Sequence, residues 1–278
     1  MRILGGKSRL ARDLADVLAV LGEAAGCAEV EDRFCGTLCV AKACEAVGLR
    51  PVAAEDGHPA LVNLYRAIAA GTFDAPASLT REAWETVARG PRDPADPMTA
   101  FAGLFCSWRG KYFAGWQPDD LRWPEGGTGR SAAAKARRDL LALRPLLQRL
   151  ELRLGDCLGP LARGRLGFFD PPYAGTTGYA GAPPYNPAQG WARLGVLAQR
   201  SPVLVTEFEA PAPWIEVARF PVGSPGFTAG KIERLFAAGL SAEVLTAEPW
   251  RSQLAALAAA RAARLAGTAA RYRARKGC

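Results

Sequence analysis

The sequence predicts an α/β protein with a parallel sheet and helices on both faces. A strand at 29–34, a helix at 37–47 and a second strand at 52–54 follow one another, and such a βαβ unit pairs its strands in parallel. Apolar runs at 166–169 and 203–206 predict two further buried strands. With 278 residues, of which 49% are apolar, the chain can bury a sizeable core in one large domain or two modest ones.

The first predicted helix covers residues 7–22, whose apolar side chains recur at helical spacing, and Gly22 can end it. Gly5 and Gly6 precede this helix, and glycines before a helix N-terminus let backbone N–H groups approach an anion. Lys7 at the helix start is unfavourable for the helix dipole, so a negatively charged ligand nearby would explain it. The alternative is a flexible N-terminal turn.

The second predicted strand ends in two carboxylates, Glu55 and Asp56. In nucleotide-binding sheets an acidic side chain at this place binds ribose hydroxyls, which makes Asp56 the candidate for that role. The alternative is that Asp56 caps the helix predicted at 59–70.

Residues 101–116 mix aromatic, glycine and basic residues, after a stretch that prolines interrupt from about residue 72 onwards. This mixture suits a hairpin or loop pressed against nucleic acid. Arg109 and Lys111 would then contact phosphates, and Tyr112 or Trp116 could stack on bases. The alternative is that these aromatic side chains belong to the core.

The tetrapeptide Asp170-Pro171-Pro172-Tyr173 follows the apolar run at 166–169. Two successive prolines cannot donate to a sheet, so the strand must end here in a rigid turn. Ligands bind at this edge of open α/β sheets, and a carboxylate beside an aromatic ring suits a flat base that bears an amino group. The alternative is a proline-rich turn with a solvated aspartate. The glycine-rich stretch 174–181 predicts a loop that orders over a bound base.

The formal net charge of +8 favours a polyanionic partner. Residues 251–278 carry seven of the positive charges and no acidic residue, and a second basic stretch lies at 130–153. The alternative for each stretch is a solvated helix face. Either way, the composition is that of a folded protein, not of a disordered chain.

The composition also predicts a cytoplasmic protein. No apolar run approaches the roughly 20 residues that span a bilayer, and the early Gly-Gly-Lys leaves no room for a signal peptide. The seven cysteines include no C-x-x-C pair, which favours reduced thiols over a metal site. His58 is the only histidine, which excludes a triad that needs a second one.

Asp170-Pro171-Pro172-Tyr173 resembles the catalytic motif of the Dam-type family of adenine-specific DNA methyltransferases. Three other segments resemble motifs of that family in the same order along the chain: Gly5 to Leu10, Phe34-Cys35-Gly36, and Glu55-Asp56 with residues 58–65. Each segment is weakly specific alone, but together they cover most of residues 1–180. An aspartate before Pro-Pro-Tyr favours adenine, and the Gly-Gly-Lys element favours DNA as the substrate.

The resemblance implies a Rossmann-like methyltransferase sheet formed by residues 1–65 and 151–245. It also implies an inserted, mostly helical target-recognition domain at 66–150, and a basic C-terminal helix or tail at 246–278. The implied cofactor is S-adenosylmethionine, and the implied partner is double-stranded DNA. We expect a monomer or a weak dimer, with no membrane partner.

The resemblance implies three groups of site residues, each by its position in a motif. The catalytic residues are Asp170, Pro171, Pro172 and Tyr173. The residues expected to bind S-adenosylmethionine are Ile3, Gly6, Lys7, Phe34, Gly36, Asp56, Asp156 and Asp170. The residues expected to contact DNA are Arg2, Arg109, Lys111 and Tyr112.

The chain departs from the family pattern at several places. Leu38 stands where the family has the last glycine of its Phe-x-Gly-x-Gly loop, and Ile3 stands where many members have an aromatic residue. Glu55 replaces a common asparagine, and Thr206-Glu207 replaces a common Ser-Asn pair. Two alternatives to a DNA adenine methyltransferase therefore stay open: an RNA or cytosine methyltransferase of the same fold, and a catalytically inactive DNA-binding relative.

Overall fold

The computed structural model describes residues 3, 5–118, 131–176, 180–221, 232–241, 244 and 248–276. Within these residues one sheet contains seven strands: β1 (Glu29–Arg33), β2 (Arg50–Asp56), β3 (Glu151–Leu154), β4 (Arg165–Phe169), β5 (Val203–Glu207), β6 (Ile215–Pro221) and β7 (Ile232–Ala238). The α-helices described are α1 (Ala11–Ala24), α2 (Cys39–Ala46), α3 (Pro59–Ala70), α4 (Arg81–Arg89), α5 (Pro97–Ala100), α6 (Ala132–Leu147), α7 (Pro187–Ala198) and α8 (Glu248–Lys276).

The strands lie in the order β3-β2-β1-β4-β5-β7-β6. The first five strands of this order run parallel, and β7 inserts antiparallel between β5 and β6. The chain order reverses between β1 and β4. In doubly wound sheets the crevice at the carboxyl ends of the strands, beside such a reversal, is the place where ligands bind.

Successive side chains of the central strands pack on opposite faces of the sheet, as the period of two in a strand requires. Phe168 and Leu204 join a core cluster with α1, α2 and α8, whereas Phe169 and Val205 pack with Leu194 of α7. Helices therefore cover both faces. The predicted α/β class, a Rossmann-like sheet with helices on both faces, is confirmed.

The segment between β2 and β3 is mostly helical. It runs through α3, α4 and α5, a π-helical turn at Phe101–Phe105, a 3-10 turn at Trp108–Gly110, and α6. Phe101 and Leu140 of this segment share one core with Tyr65 of α3. The limits 66–150 of a separate recognition domain stay a prediction, as do the other domain limits.

The aromatic stretch after α5 forms a turn that an antiparallel bridge between Ser107 and Trp116 closes. The indole N–H of Trp116 donates to the Leu79 carbonyl at 3.0 Å, and the indole N–H of Trp84 donates to the Ala102 carbonyl at 3.0 Å. These two bonds attach the turn to the helical segment. Trp116, which the sequence offered as a stacking residue, thus anchors the turn.

The C-terminal helix α8 packs along α1, and its Trp250 is buried. Arg261 Nε lies 2.7 Å from a carboxylate oxygen of Asp13, and Arg264 pairs with the same carboxylate. At least these two residues of the basic stretch therefore contact the body of the protein. In the described part of the chain, no helix is both long and apolar enough to cross a bilayer.

Candidate active site

A cavity of about 640 Å³ opens at the carboxyl edge of the sheet. Its wall includes residues that follow β1, β2, β3 and β4, which is the place that the strand order selects for a ligand. Seven of the eight residues expected to bind a cofactor lie on this wall: Ile3, Gly6, Phe34, Gly36, Asp56, Asp156 and Asp170. The topology thus brings together side chains that are up to 167 residues apart in sequence.

The turn after β1 has an unusual backbone. Phe34, Gly36 and Leu38 have φ angles of 59°, 47° and 56°, all in the left-handed region. Leu38 holds the position of the missing family glycine, and its conformation explains why a glycine suits that place. The Leu38 side chain is fully buried in the core and is absent from the described cavity wall. The substitution therefore strains the turn without narrowing the cavity.

Asp56 is fixed by backbone donors at both of its carboxylate oxygens. The N–H of Gly36 donates to Oδ2 at 2.9 Å, and the N–H of His58 donates to Oδ1 at 2.9 Å. Burial raises the pKa of Asp56, and these two N–H bonds oppose the rise. Each carboxylate oxygen has a second lone pair, so Asp56 can still accept bonds from hydroxyl groups in the cavity.

Glu55, where the family often has asparagine, supports the turn that carries Asp156. Its Oε1 accepts the N–H of Cys157 at 3.0 Å, and its other oxygen pairs with the buried Arg33. Gly155 allows this approach, because a Cβ there would lie 2.2 Å from Glu55 Oε1. The departure from the family pattern thus orders one part of the cavity wall.

Asp156 pairs with Arg193 of α7, which also lies on the cavity wall. The guanidinium binds both carboxylate oxygens and lowers the pKa of Asp156, as does the N–H of Leu158. Sequence analysis did not identify Arg193, because no local motif marks an arginine in the middle of a helix as a partner of a distant loop.

The Asp170 carboxylate is held at one of its oxygens. The Thr206 hydroxyl donates to Oδ1 at 2.6 Å, and Lys7 Nζ lies 2.7 Å from the same atom. Both partners that we identify among the described residues bind Oδ1, so Oδ2 is the oxygen left to accept a further donor. Lys7, expected to bind the cofactor, is only 6% exposed, contacts Asp170 and is absent from the described wall.

Tyr173 lies beside this carboxylate but outside the described cavity wall, as does Pro171. Pro172 is the other member of the tetrapeptide on the wall. The Tyr173 ring packs edge-on to Phe208 with centroids 4.8 Å apart, and Lys7 Nζ lies 4.7 Å from its centroid. Burial raises the pKa of Tyr173 well above its ordinary value, so its hydroxyl stays protonated at neutral pH.

Thr206 and Glu207 end β5 next to the tetrapeptide, and sequence analysis noted them only as departures from Ser-Asn. Glu207 Oε2 accepts the N–H of Ala174 at 3.1 Å, and its Oε1 accepts the N–H of Phe208 at 2.8 Å. Thr206 thus orients Asp170, and Glu207 fixes the chain that leaves Tyr173. The signal available in the sequence was their position at the end of the strand that follows β4.

The residues expected to contact DNA divide into three groups. Lys111 and Tyr112 lie on the cavity wall. Arg109 is absent from the described wall and sits in the 3-10 turn with a φ of 56°, beside Trp108, which is 45% exposed. Arg2 lies outside the described residues. The exposed Trp108 is an additional candidate contact, and the aromatic run around it was its sequence signal.

His58 connects the two sides of the cavity. Its ring packs edge-on to Tyr112 with centroids 4.8 Å apart, and a Cβ at Gly181 would lie 2.5 Å from its Nε2. Nδ1 accepts the N–H of Leu61 and so caps α3. Burial lowers the pKa of His58 to about 4, so the ring is neutral at neutral pH.

The cysteines of this site are buried, and burial affects their reactivity. Burial raises the pKa of Cys35, which disfavours the reactive thiolate, and it does the same for Cys157 on the cavity wall. Cys27, Cys35, Cys39, Cys44 and Cys157 are free thiols. In the described ranges, no group of three or more His, Cys, Asp or Glu side chains could hold a metal ion.

Comparisons with known proteins found one weak structural similarity. No family model matches the chain. No curated protein matches it either. A solved structure of the rRNA methyltransferase aviRa from Streptomyces viridochromogenes is similar to 81% of this chain, over 81% of its own chain, with 17% sequence identity and a TM-score of 0.33. Because the similarity is this weak, the functional argument depends on the site itself.

Proposed function

We propose that this protein transfers a methyl group from S-adenosylmethionine to the exocyclic N6 amine of adenine in double-stranded DNA, as Dam-type enzymes do. One observation carries the proposal: Asp170 of the Asp-Pro-Pro-Tyr corner lies on the wall of the same cavity as Asp56. Asp170 could accept a hydrogen bond from an amine, and Asp56 could accept hydrogen bonds from ribose hydroxyls. Both carboxylates therefore lie on the wall of one cavity.

The described residues fit the proposed cofactor. The cavity volume of about 640 Å³ lies within the range of roughly 300–1,000 Å³ that is usual for ligand pockets. Asp56 would accept from the ribose hydroxyls, and Asp156 would accept from the adenine moiety. When bound, S-adenosylmethionine supplies an electrophilic methyl group on a sulfonium sulfur.

The protein's own residues would prepare the amine for attack. The lone pair of the amine is delocalised into the adenine ring, and the base must first leave the duplex at a cost of a few kcal/mol. Asp170 Oδ2 would accept one amine hydrogen and direct the lone pair. The roles that the resemblance implies for Pro171 and Tyr173, accepting the second hydrogen and stacking on the extruded ring, require the base to reach beyond the described wall, on which neither residue lies. Positioning of this kind lowers a barrier without a covalent enzyme intermediate.

The choice of DNA as substrate depends on charge and on the cavity rim. The net charge is +8, and Lys111 and Tyr112 on the wall lie close in sequence to Arg109 and the exposed Trp108. Basic side chains of this kind would hold phosphates, and the aromatic rings would stack on bases. RNA presents the same two features, so the experiment has to separate the two substrates.

A methyl-transfer assay with labelled S-adenosylmethionine tests the proposal. We expect label in mixed-sequence duplex DNA, recovered as N6-methyladenine after digestion, and none in structured RNA. Label in RNA or in cytosine would contradict the proposed substrate. Sequencing with modified-base detection, on DNA from cells that express the protein, would then identify the recognition site.

A calorimetric titration with S-adenosylmethionine distinguishes a catalytically inactive DNA-binding protein from an active enzyme whose recognition sequence is absent from the DNA used in the assay. We expect saturable binding by the free protein. Saturable binding without methyl transfer would point to an untested substrate or sequence, whereas no binding at all would indicate a DNA-binding relative that has lost its cofactor site.

A further inference from the structure

A buried charge cluster lies behind the Asp-Pro-Pro-Tyr corner. The ammonium of Lys7 lies 2.7 Å from Asp170 Oδ1 and 3.7 Å from Glu233 Oε2. The exposed fraction of the side chains is 6% for Lys7 and 16% for each of the two carboxylates. Glu233 belongs to β7, and no sequence motif assigned it a role.

Two polar atoms of this cluster could form hydrogen bonds that the described residues do not supply. Glu233 Oε2 and the Tyr173 hydroxyl are buried without a hydrogen-bond partner among the described residues. A buried polar atom without a partner costs free energy, so its retention calls for an explanation. Two carboxylates share one ammonium, and the trio therefore has a net charge of −1 when all three groups are ionised. One added proton would neutralise it.

We infer that Lys7 and Glu233 form a proton relay that carries the proton released by methyl transfer away from Asp170. The inference rests on the proposed function, because that reaction leaves the amine nitrogen with one proton in excess. In this proposal Lys7 exchanges a proton with Asp170 instead of binding the cofactor, and Glu233 accepts the proton that the reaction releases.

The proton would pass through three groups, from the amine to Asp170, Lys7 and Glu233. The methyl–sulfur bond breaks as the methyl–nitrogen bond forms, and the excess proton on nitrogen passes to Asp170 Oδ2. Lys7 first gives a proton to Glu233, and its freed lone pair then takes the proton from Asp170 once the carboxyl group has turned its protonated oxygen towards Nζ, which lies 2.7 Å from Oδ1 before the reaction. Asp170 ends ionised, Lys7 ends as an ammonium, and Glu233 ends neutral. Glu233 Oε2 is itself buried, so the proton would leave to water when the carboxyl group rotates, since 16% of the side chain is exposed.

The electrostatics of the cluster suit this direction. Burial raises the pKa of Glu233, and Asp170 adds to the rise while Lys7 opposes it. Burial alone would lower the pKa of Lys7, but Asp170, Tyr173 and Glu233 together raise it well above its ordinary value. Burial also raises the pKa values of Asp32 and Glu207, and the neighbouring Asp170 adds to both rises. Glu233 is thus a carboxylate with an increased affinity for a proton.

The test compares proton release with methyl transfer in a single turnover. A pH-indicator dye in weak buffer reports the proton, and rapid quenching reports the methylated base. In the wild type we expect the two to keep pace. In Glu233→Gln, which keeps the side chain's size, we expect proton release to lag methyl transfer by about 10-fold or more. A variant that only disturbs the structure would slow both steps alike.

Lys7→Arg sharpens the test, because arginine keeps the positive charge but does not give up a proton. We expect the same lag as in Glu233→Gln, and no further lag when the two changes are combined. Glu216→Gln on β6, a carboxylate that pairs with Arg219, is the matched control and should behave as the wild type. Proton release that keeps pace in Glu233→Gln or in Lys7→Arg would overturn the relay.

A titration of the free protein keeps the relay separate from the proposed function. Carbon NMR of labelled glutamate carboxyl groups should place the Glu233 pKa above that of exposed glutamates. Lys7→Met should raise this pKa further, and Asp170→Asn should lower it. If these shifts appear but no nucleic acid is methylated, the proposed function fails while the cluster stands. If the Glu233 pKa is the same in the wild type and in both variants, the relay is wrong whatever the substrate.

Discussion

The two sides of the cavity hold their carboxylates in different ways. On the side of β2 and β3, Asp56 and Asp156 have partners at both oxygens: two backbone N–H groups for Asp56, and Arg193 with the Leu158 N–H for Asp156. At the end of β4, both identified partners of Asp170 bind Oδ1, and Oδ2 is left over. The first arrangement fixes a binding surface, whereas the second orients a group and leaves one atom available.

This difference separates binding from reaction. Backbone N–H groups do not move with side-chain rotation, so they suit a carboxylate that has to present the same lone pairs to every ligand. Lys7 and Thr206 are side chains that can exchange protons and rotate, which suits a carboxylate whose charge changes during a cycle. We therefore expect substitutions on the first side to change affinity and substitutions at the corner to change the rate.

The largest effect should come from Asp170→Asn. The amide keeps an acceptor for Thr206 but loses the charge that pairs with Lys7 and that would accept the amine proton. We expect the single-turnover rate of methyl transfer to fall by about 100-fold or more. The calorimetric affinity for S-adenosylmethionine should stay within a few-fold of the wild type.

Asp74→Asn is a suitable control, because Asp74 is 78% exposed and pairs with Arg137, and neither residue lies on the described wall. A near-normal rate in Asp170→Asn would remove the basis of the catalytic role. An equal loss of rate and of cofactor affinity would mean that binding and reaction are not separated between the two sides of the cavity.

Asp56→Ala should produce the opposite pattern. The change removes the acceptors of the Gly36 and His58 N–H groups, which then lie buried without partners. We expect the free energy of unfolding in urea to fall by about 2 kcal/mol. We expect the dissociation constant for S-adenosylmethionine to rise by about 10-fold, which is about 1.4 kcal/mol. Unchanged affinity in a folded Asp56→Ala protein would contradict the assignment of Asp56 to the cofactor.

The sequence predicted the residues of the first side better than those of the corner, and the reason lies in the range of the interactions. Asp56 and Asp170 each end a strand that can be identified from its composition, and a parallel sheet places all such ends at one edge. This prediction does not require knowing which residues of neighbouring strands pair with each other. Phe34, Gly36 and Asp156, which the resemblance implied, also lie on the wall.

The partners of Asp170 depend on register, which composition does not encode. Thr206 reaches Asp170 because β4 pairs with β5 such that Phe169 lies opposite Val205. Glu233 approaches because β7 runs antiparallel to β5, with Leu235 opposite Thr206. Lys7 contacts Asp170 because Gly5 has a φ of 75° and the chain turns before α1, which begins at Ala11 and not at residue 7 as predicted. None of these features has a local signature.

His58, between the two sides, offers a pH test. Burial lowers its pKa to about 4 in the folded protein, below the ordinary value of 6.5. Above pH 6.5 both states are neutral, so His58 contributes nothing to the pH dependence. As the pH falls from 6.5 towards 4, the unfolded chain gains a proton that the folded protein does not. Between pH 7 and pH 5 this should reduce the free energy of unfolding by about 2 kcal/mol.

The acidic groups with raised pKa values, such as Asp56 and Glu233, act in the opposite direction, so the wild type alone does not isolate the effect. The comparison with His58→Gln does, because His58 is the only histidine. We expect the difference in unfolding free energy between the two proteins to shift by about 2 kcal/mol in favour of His58→Gln between pH 7 and pH 5. A constant difference would show that the folded His58 titrates normally.

The smallest effect should follow from Arg193→Ala. The side chains of Arg193 and Asp156 are 48% and 57% exposed, and ion pairs this exposed contribute at most about 1 kcal/mol to stability. We expect a loss of unfolding free energy below about 1 kcal/mol and a loss of cofactor affinity of about threefold, because Asp156 keeps the Leu158 N–H as a partner. Both losses should shrink in high salt, since salt screens exposed charges. Arg200→Ala, which follows the same helix outside the described wall, should change neither. A loss of affinity as large as that of Asp56→Ala would mean that Arg193 itself binds the ligand. The β3 side of the cavity would then contribute a positive charge to binding, in addition to the fixed carboxylate of Asp156.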